Sequence, residues 1–259
     1  MFAAASNAVL RAMLAPACAV CDQPLLAPLN GAICGNCIGG VRAIAPPICL
    51  RCGDQRPAYA DDGLCARCRS GPAALAVARS AGVYDGTLRD LIHALKYRRR
   101  RMIAPWLSAR MRREGAEVLD GADAVVPVPL HAWRQWQRGF NQADDLASGL
   151  RLPVWRVLRR HRGGPPQAGL PAADRDANAR GAYALCRRER LRPRAWNRLR
   201  GATVVLVDDV MTTGATLNAC ARVLQAAGAK DVRALTAARA VAAPPPQPLR
   251  SRHLSTARR

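Results

Sequence analysis

Asp208 and Asp209 stand side by side, and a turn of hydroxyls and small residues follows at once: Met211-Thr212-Thr213-Gly214-Ala215-Thr216. A turn of this kind opening a helix aims backbone N–H groups at one spot, which suits a phosphate. Two carboxylates beside a phosphate repel it unless the ligand also offers hydroxyl donors. A phosphorylated sugar does. An ordinary strand-to-helix turn could also use Asp or Thr as a helix cap. A cap needs one such residue, and this run holds five.

The flanking residues supply the elements such a cradle needs. Val204-Val205-Leu206-Val207 reads as a buried parallel strand, and Leu217 to Ala227 reads as a helix. The run from Val204 to Leu217 resembles the phosphoribosyl-pyrophosphate (PRPP) signature of type I phosphoribosyltransferases: apolar strand, two acids, Thr-Thr-Gly-x-Thr loop. The resemblance implies that Asp208 and Asp209 hold the ribose 2- and 3-hydroxyls. It also implies that the loop Met211, Thr212, Thr213, Gly214, Ala215 and Thr216 wraps the 5-phosphate.

A second chemistry lies in the cysteines. Cys18-x2-Cys21, Cys34-x2-Cys37, Cys49-x2-Cys52 and Cys65-x2-Cys68 form four knuckles, with twelve residues between the pairs of each half. Such units in a reducing compartment read as two four-cysteine zinc sites. Disulfide or redox roles are the alternatives, and neither fits four regularly built knuckles in a cytoplasmic chain. Sequential pairing gives two stacked ribbons; a cross-braced pairing, first knuckle with third, uses the same residues. Filled four-cysteine sites have no open position, so one or two Zn²⁺ here are structural, and this small segment depends on them to fold. Cys220 falls on the expected helix as a core residue, and Cys186 has no evident role.

The chain has 259 residues, half of them hydrophobic, enough for one α/β domain and a smaller module. With 40 Lys plus Arg against 18 acids, its net charge of +22 points to a polyanionic partner, nucleic acid or polyphosphate. At the N-terminus Arg11 breaks the apolar run and no basic leader precedes it, which argues against a secretory signal. A short helix with Val9, Leu10, Met13 and Leu14 on one side is expected instead, and no stretch is long enough to span a membrane. The expected location is cytoplasmic, without membrane insertion.

Ala76 to Tyr84 reads as a strand, and Thr87 is placed to cap a helix with Leu88, Leu91, Ile92 and Leu95 on one face. That helix ends in Lys96-Tyr97-Arg98-Arg99-Arg100-Arg101, either a solvated positive end favoured by the helix dipole or a polyanion-binding lip. Asp123 to Leu130 reads as a second core strand. The segment Arg134 to Arg138 leads from it through Gly139-Phe140-Asn141-Gln142 into a helix with Ala143, Leu146 and Leu150. Both strand–loop–helix units would open at the same carboxyl edge of one sheet. Arg134 and Arg138 could there meet a pyrophosphate, to which an arginine fork is matched.

Taken in order, the knuckles, His93-Ala94-Leu95-Lys96-Tyr97, Val126-Pro127-Val128-Pro129-Leu130, Arg138-Gly139-Phe140-Asn141-Gln142 and the Asp208 loop resemble the ComF family. These are bacterial competence-protein and GntX-like members of the phosphoribosyltransferase group. The likeness runs from about Cys18 to Arg239 and includes Arg159, Gln167, Arg175, Asn178 and Gly181, with Gly163-Gly164-Pro165-Pro166 as a mobile flap. The basic stretch Arg187 to Arg200, with seven arginines, departs from the pattern. The organisation expected is an N-terminal helix at 1–17, a double zinc ribbon at 18–70, a phosphoribosyltransferase-like domain at 71–242 and a disordered basic tail at 243–259. The fold class is α/β, a parallel sheet flanked by helices, carrying an N-terminal zinc module.

The resemblance implies binding of Mg²⁺-PRPP and transfer of the phosphoribosyl group with release of pyrophosphate, in a protein linked to DNA uptake and natural transformation. Asp208, Asp209 and Arg138 would be catalytic, with Arg134 and Lys96 joining the loop in holding PRPP. No residue stands out as a base for the acceptor; His93 and His131 are candidates. The other reading is a non-catalytic PRPP sensor or single-stranded-DNA-binding competence factor, with DNA and the uptake machinery as partners. Trp106, Trp133, Trp136, Trp155 and Trp196, interleaved with arginines, fit a single-strand binder or a core equally well.

Overall fold

The computed structural model describes residues 2–56, 63–71, 74–161, 181–186 and 198–241. The expected flap at 163–166 with Gln167, Arg175 and Asn178, Trp196, most of the 187–200 stretch and the tail at 243–259 lie outside these residues.

Four parallel strands carry the larger domain. They are β1 (Ala78–Ser80), β2 (Ala124–Pro127), β5 (Thr203–Met211) and β6 (Asp231–Arg239), in spatial order β1-β6-β5-β2. The apolar run of β5 explains its central place: Val204, Val205, Leu206 and Val207 are all fully buried, as a strand covered on both faces requires. Its alternate residues feed two cores. Val205 and Val207 pack with α4 (Gly86–Tyr97), α5 (Ala104–Glu114) and α8 (Gln142–Ser148). Val204 and Leu206 pack with the helix after β5, here α9 (Ala215–Ala226). Beyond β2 the chain adds an edge contact, Val125 beside Val154, and an antiparallel pair β3 (Leu158–Arg160) and β4 (Tyr183–Leu185) covers part of the α9 side.

The expected faces are present. Leu88, Leu91, Ile92 and Leu95 of α4 are fully buried, and Cys220 of α9 is a core residue. Two expectations shift. The N-cap of α4 is Asp85 rather than Thr87, because the helix already begins at Gly86. The strand carrying the two acids does not stop at Val207: pairing with β6 continues through Asp208 with Thr236 and Met211 with Arg239. The acids therefore sit on the strand and not in the turn.

The cysteine module folds as two ribbons, each with a short helix entered from its third cysteine, α2 (Gly35–Gly39) and α3 (Ala66–Ser70). The first ribbon joins the α4 side through Leu25, Ile33, Cys37 and Val41. Arg100 binds it from the end of α4, reaching the Cys18 carbonyl at 3.3 Å and Asp22 at 2.8 Å. The second ribbon docks on the sheet edge, where the Ala78 N–H donates to the Arg51 carbonyl at 2.6 Å. The N-terminal helix α1 (Phe2–Leu14) is tied to the first ribbon by the Asn7 side chain, which accepts from the Leu29 N–H at 3.0 Å. Val9, Met13 and Leu14 of α1 are exposed. Among the described residues no helix is long and apolar enough to cross a membrane.

Candidate functional site

The parallel register brings the chemistry to one edge. Pro127 of β2 lies opposite Val207 of β5, so the loops leaving both strands open together at their carboxyl ends. Pleating then separates the two acids. Asp209 continues the odd-numbered face towards α4, where Lys96 Nζ meets its Oδ1 at 2.9 Å in a pair largely out of solvent. Asp208 continues the even-numbered face, within electrostatic reach of Tyr183 and Cys220. Burial raises the pKa of Asp208 and the adjacent Asp209 carboxylate adds to it. The Asp209 N–H and Lys96 pull the other way, and the balance lies at about 7.

The turn from β5 into α9 has the geometry of an anion cradle. Gly214 adopts φ +81°, and a Cβ there would lie 2.9 Å from the Met211 side chain, so the position calls for glycine. Thr213 Oγ1 accepts from the Ala215 N–H at 3.3 Å, and Asn218 Nδ2 donates to the Gly214 carbonyl at 3.1 Å. From the far side Tyr183 hydrogen-bonds to Thr216, and burial pushes the Tyr183 hydroxyl to about 12.

The β2 loop continues into α7 (Ala132–Arg138), capped by the His131 ring. Arg138 lies over the Tyr97 ring at 5.0 Å and donates to the Gln142 side chain at 3.1 Å; Tyr97 directly follows Lys96. Asn141 caps α8 and donates to the Val128 carbonyl at 3.0 Å, so it fixes this loop rather than meeting a ligand. Arg134 is exposed, one turn before Arg138 on α7. The structure thus brings together Lys96, Asp209 and the adjoining Asp208 ahead of the 211–216 loop, and it ties Arg138 to Tyr97, the residue after Lys96. His93 is engaged with the Tyr84 hydroxyl at 3.0 Å. Two participants went unread in the sequence: Asn218, which holds the loop from one turn into α9, and Arg67 of the second ribbon, which donates to the Thr213 carbonyl at 3.0 Å. The Arg67 contact is one that no local spacing encodes.

The eight knuckle cysteines form two separate clusters, Cys18-Cys21-Cys34-Cys37 and Cys49-Cys52-Cys65-Cys68, which settles the pairing as sequential. A tetrahedral ion with Zn–S bonds of about 2.3 Å needs sulfurs roughly 3.8 Å apart. Cys21 and Cys34 stand at 3.7 Å and Cys52 and Cys65 at 3.6 Å. The N–H groups of Cys34 and Cys65 point at the Cys18 and Cys49 sulfurs, each at 3.3 Å. Burial opposes ionisation of Cys18 and Cys49, but the backbone N–H groups of Cys21, Cys34 and Val20 at the first, and of Cys52, Cys65 and Arg51 at the second, outweigh it and lower both thiols to about 6. Both sites fit structural Zn²⁺.

Comparison with known proteins agrees with this geometry. Residues 137–249 match the Phosphoribosyl transferase domain, and residues 9–69 match the Double zinc ribbon domain. Competence protein F of Haemophilus influenzae is 37% identical over 123 residues, 46% of this chain and 51% of that protein. DNA utilization protein YhgH of Salmonella typhimurium is 33% identical over 164 residues, 60% of this chain and 68% of that protein. Competence protein ComFC of Bacillus subtilis is 29% identical over 147 residues, 56% of this chain and 57% of that protein. The matched part therefore spans between about half and two thirds of these relatives.

Proposed function

The chain belongs to the ComF family, and from that premise we propose that its sheet edge binds Mg²⁺-PRPP and transfers the phosphoribosyl group with release of pyrophosphate. The observation that carries this reading is the convergence on one edge of a positive-φ glycine turn at a helix start, two acids and a half-buried lysine. Lys96 pairs with Asp209. On binding, the ribose hydroxyls take over the two carboxylates, and Lys96 is freed to turn towards the pyrophosphate. Mg²⁺, if carried with PRPP beside Asp208 and Asp209, would supply neutralisation of the leaving group's charge. At C1 the bond to the pyrophosphate oxygen breaks and a bond to the acceptor forms, through an oxocarbenium-like state. Little covalent chemistry falls to the protein. Positioning by the loop and acids, with neutralisation by Lys96 and Arg138, supplies the catalysis.

A pyrophosphate-release screen against bases and amines tests turnover. Release above the acceptor-free rate supports transfer; binding of PRPP without release with any acceptor limits the protein to sensing.

One observation favours a second role, in handling single-stranded DNA in a DNA-uptake setting. Trp133 and Trp136 are 59% and 76% exposed with ring centroids 5.2 Å apart, and Tyr97 is 65% exposed. Arg99 bridges their two helices by donating to the Gln137 carbonyl at 2.9 Å. Exposed rings set among arginines offer base stacking and phosphate contacts together.

A further inference from the structure

The second zinc ribbon touches the ribose-phosphate loop itself. Arg67 lies on α3 between the zinc ligands Cys65 and Cys68, and its Nη1 donates to the Thr213 carbonyl at 3.0 Å and the Thr212 carbonyl at 3.5 Å. The next carbonyl, Gly214, is held by Asn218, whose Oδ1 in turn accepts from the N–H of Ala74, just past the ribbon, at 3.1 Å. Two consecutive loop carbonyls, Thr212 and Thr213, are thereby drawn to the ribbon side, while Gly214 is held from within α9. A peptide whose carbonyl is held on one side presents its N–H to the other, the side a phosphate needs.

The contact is anchored at the metal site. Asp54, two residues after Cys52, binds both Arg67 at 3.4 Å and the buried Arg239 at 2.9 Å. Arg239 also donates to the Cys52 carbonyl at 2.8 Å and lies 3.6 Å from its sulfur, while reaching the Met211 sulfur at the start of the loop. Beneath the loop lies a cavity of about 280 Å³ whose lining mixes Arg51, Arg67, Arg222 and Arg239 with Leu75, Ala78 and Met211. The loop is held from this side by Arg67, which lies in the ribbon, and by Arg239, which is bonded to it.

We propose that the second ribbon is a working part of the phosphate cradle: Arg67 is a positioning residue that fixes the loop, so zinc at Cys49-Cys52-Cys65-Cys68 and sugar phosphate at the loop favour each other. The first ribbon, packed on the α4 side, has no such contact among the described residues. This inference rests on the reading that the loop takes the 5-phosphate.

The test uses the full zinc-loaded chain, with ribose 5-phosphate as a probe of the loop and inorganic pyrophosphate with Mg²⁺ as a probe of the opposite end. Arg67→Ala should retain both zinc ions and bind ribose 5-phosphate about tenfold more weakly, as the loss of charged-donor hydrogen bonds predicts. Its affinity for pyrophosphate should not change, a split that general loss of structure would not produce. Arg67→Lys should recover part of the loss. Wild-type affinity in Arg67→Ala, or an equal loss for both probes, overturns the proposal. If Arg67→Ala does not fold, zinc release from the wild type to a chromogenic chelator decides. At equilibrium with the chelator, saturating ribose 5-phosphate should raise the affinity for one of the two ions severalfold, by reciprocity of the coupling, and an unchanged partition of both overturns it. A wild type that binds neither probe refutes the phosphoribosyl reading instead.

Discussion

Replacing Asp208 with Asn should stabilise the free protein at pH 8 relative to pH 5.5, because the fold penalises this carboxylate. An unfolded chain ionises it near the ordinary 3.8, and the folded site near 7. Between these values the folded state keeps a proton that the unfolded state has lost, so the contribution of Asp208 is full below pH 4 and is lost as pH rises through 7. From pH 5.5 to about 7 that is one and a half pH units, worth roughly 2 kcal/mol at about 1.4 kcal/mol per unit. For a chain of this size roughly 2 kcal/mol moves the melting temperature by about 5 °C. Thermal melts of wild type and Asp208→Asn, each with zinc present, should show the difference between them growing by about that amount in favour of the variant from pH 5.5 to pH 8. Zinc-ligand protonation affects both proteins alike and cancels in the difference. The same variant should lose PRPP affinity, the exchange of stability for function expected at a site. Parallel pH profiles would refute the reasoning.

Gly214→Ala should cost about 1–2 kcal/mol through its φ of +81° and the approach to Met211, and it should abolish PRPP binding, as titration calorimetry would show. Trp133→Ala with Trp136→Ala should weaken binding of a labelled single-stranded oligonucleotide by more than tenfold in fluorescence anisotropy while leaving PRPP affinity unchanged; equal binding removes the second role. Exhaustive chelation should release two zinc ions per chain by elemental analysis and collapse the amide-exchange protection of residues 18–70, while most of β5 and β6 stays protected. Retained protection in the ribbons would contradict a structural role for the metal.

Much of this was legible because it was local. The 211–216 loop, the cysteine spacing and the apolar face of α4 are each written within a few residues of one another, and the structure keeps them. What the sequence could not reveal depends on pairing. The β5 strand runs through both acids because β6 offers partners as far as Arg239, and this sends Asp208 and Asp209 to opposite faces. The sequence left the knuckle pairing open because four equal knuckles satisfy either arrangement, and only their packing on different sides of the sheet decides it. Lys96 was expected at a pyrophosphate, and the turn of α4 sets it against Asp209, a pairing the sequence could not reveal. Arg67 was invisible: it sits in a zinc knuckle, 145 residues from the loop it holds.

The most direct measurement is calorimetric titration of Mg²⁺-PRPP into the zinc-loaded protein, with Asp209→Asn alongside. The phosphoribosyl reading predicts one site per chain in the wild type and a loss of affinity of at least tenfold in the variant. No heat of binding from the wild type, or equal affinity in both proteins, would contradict it.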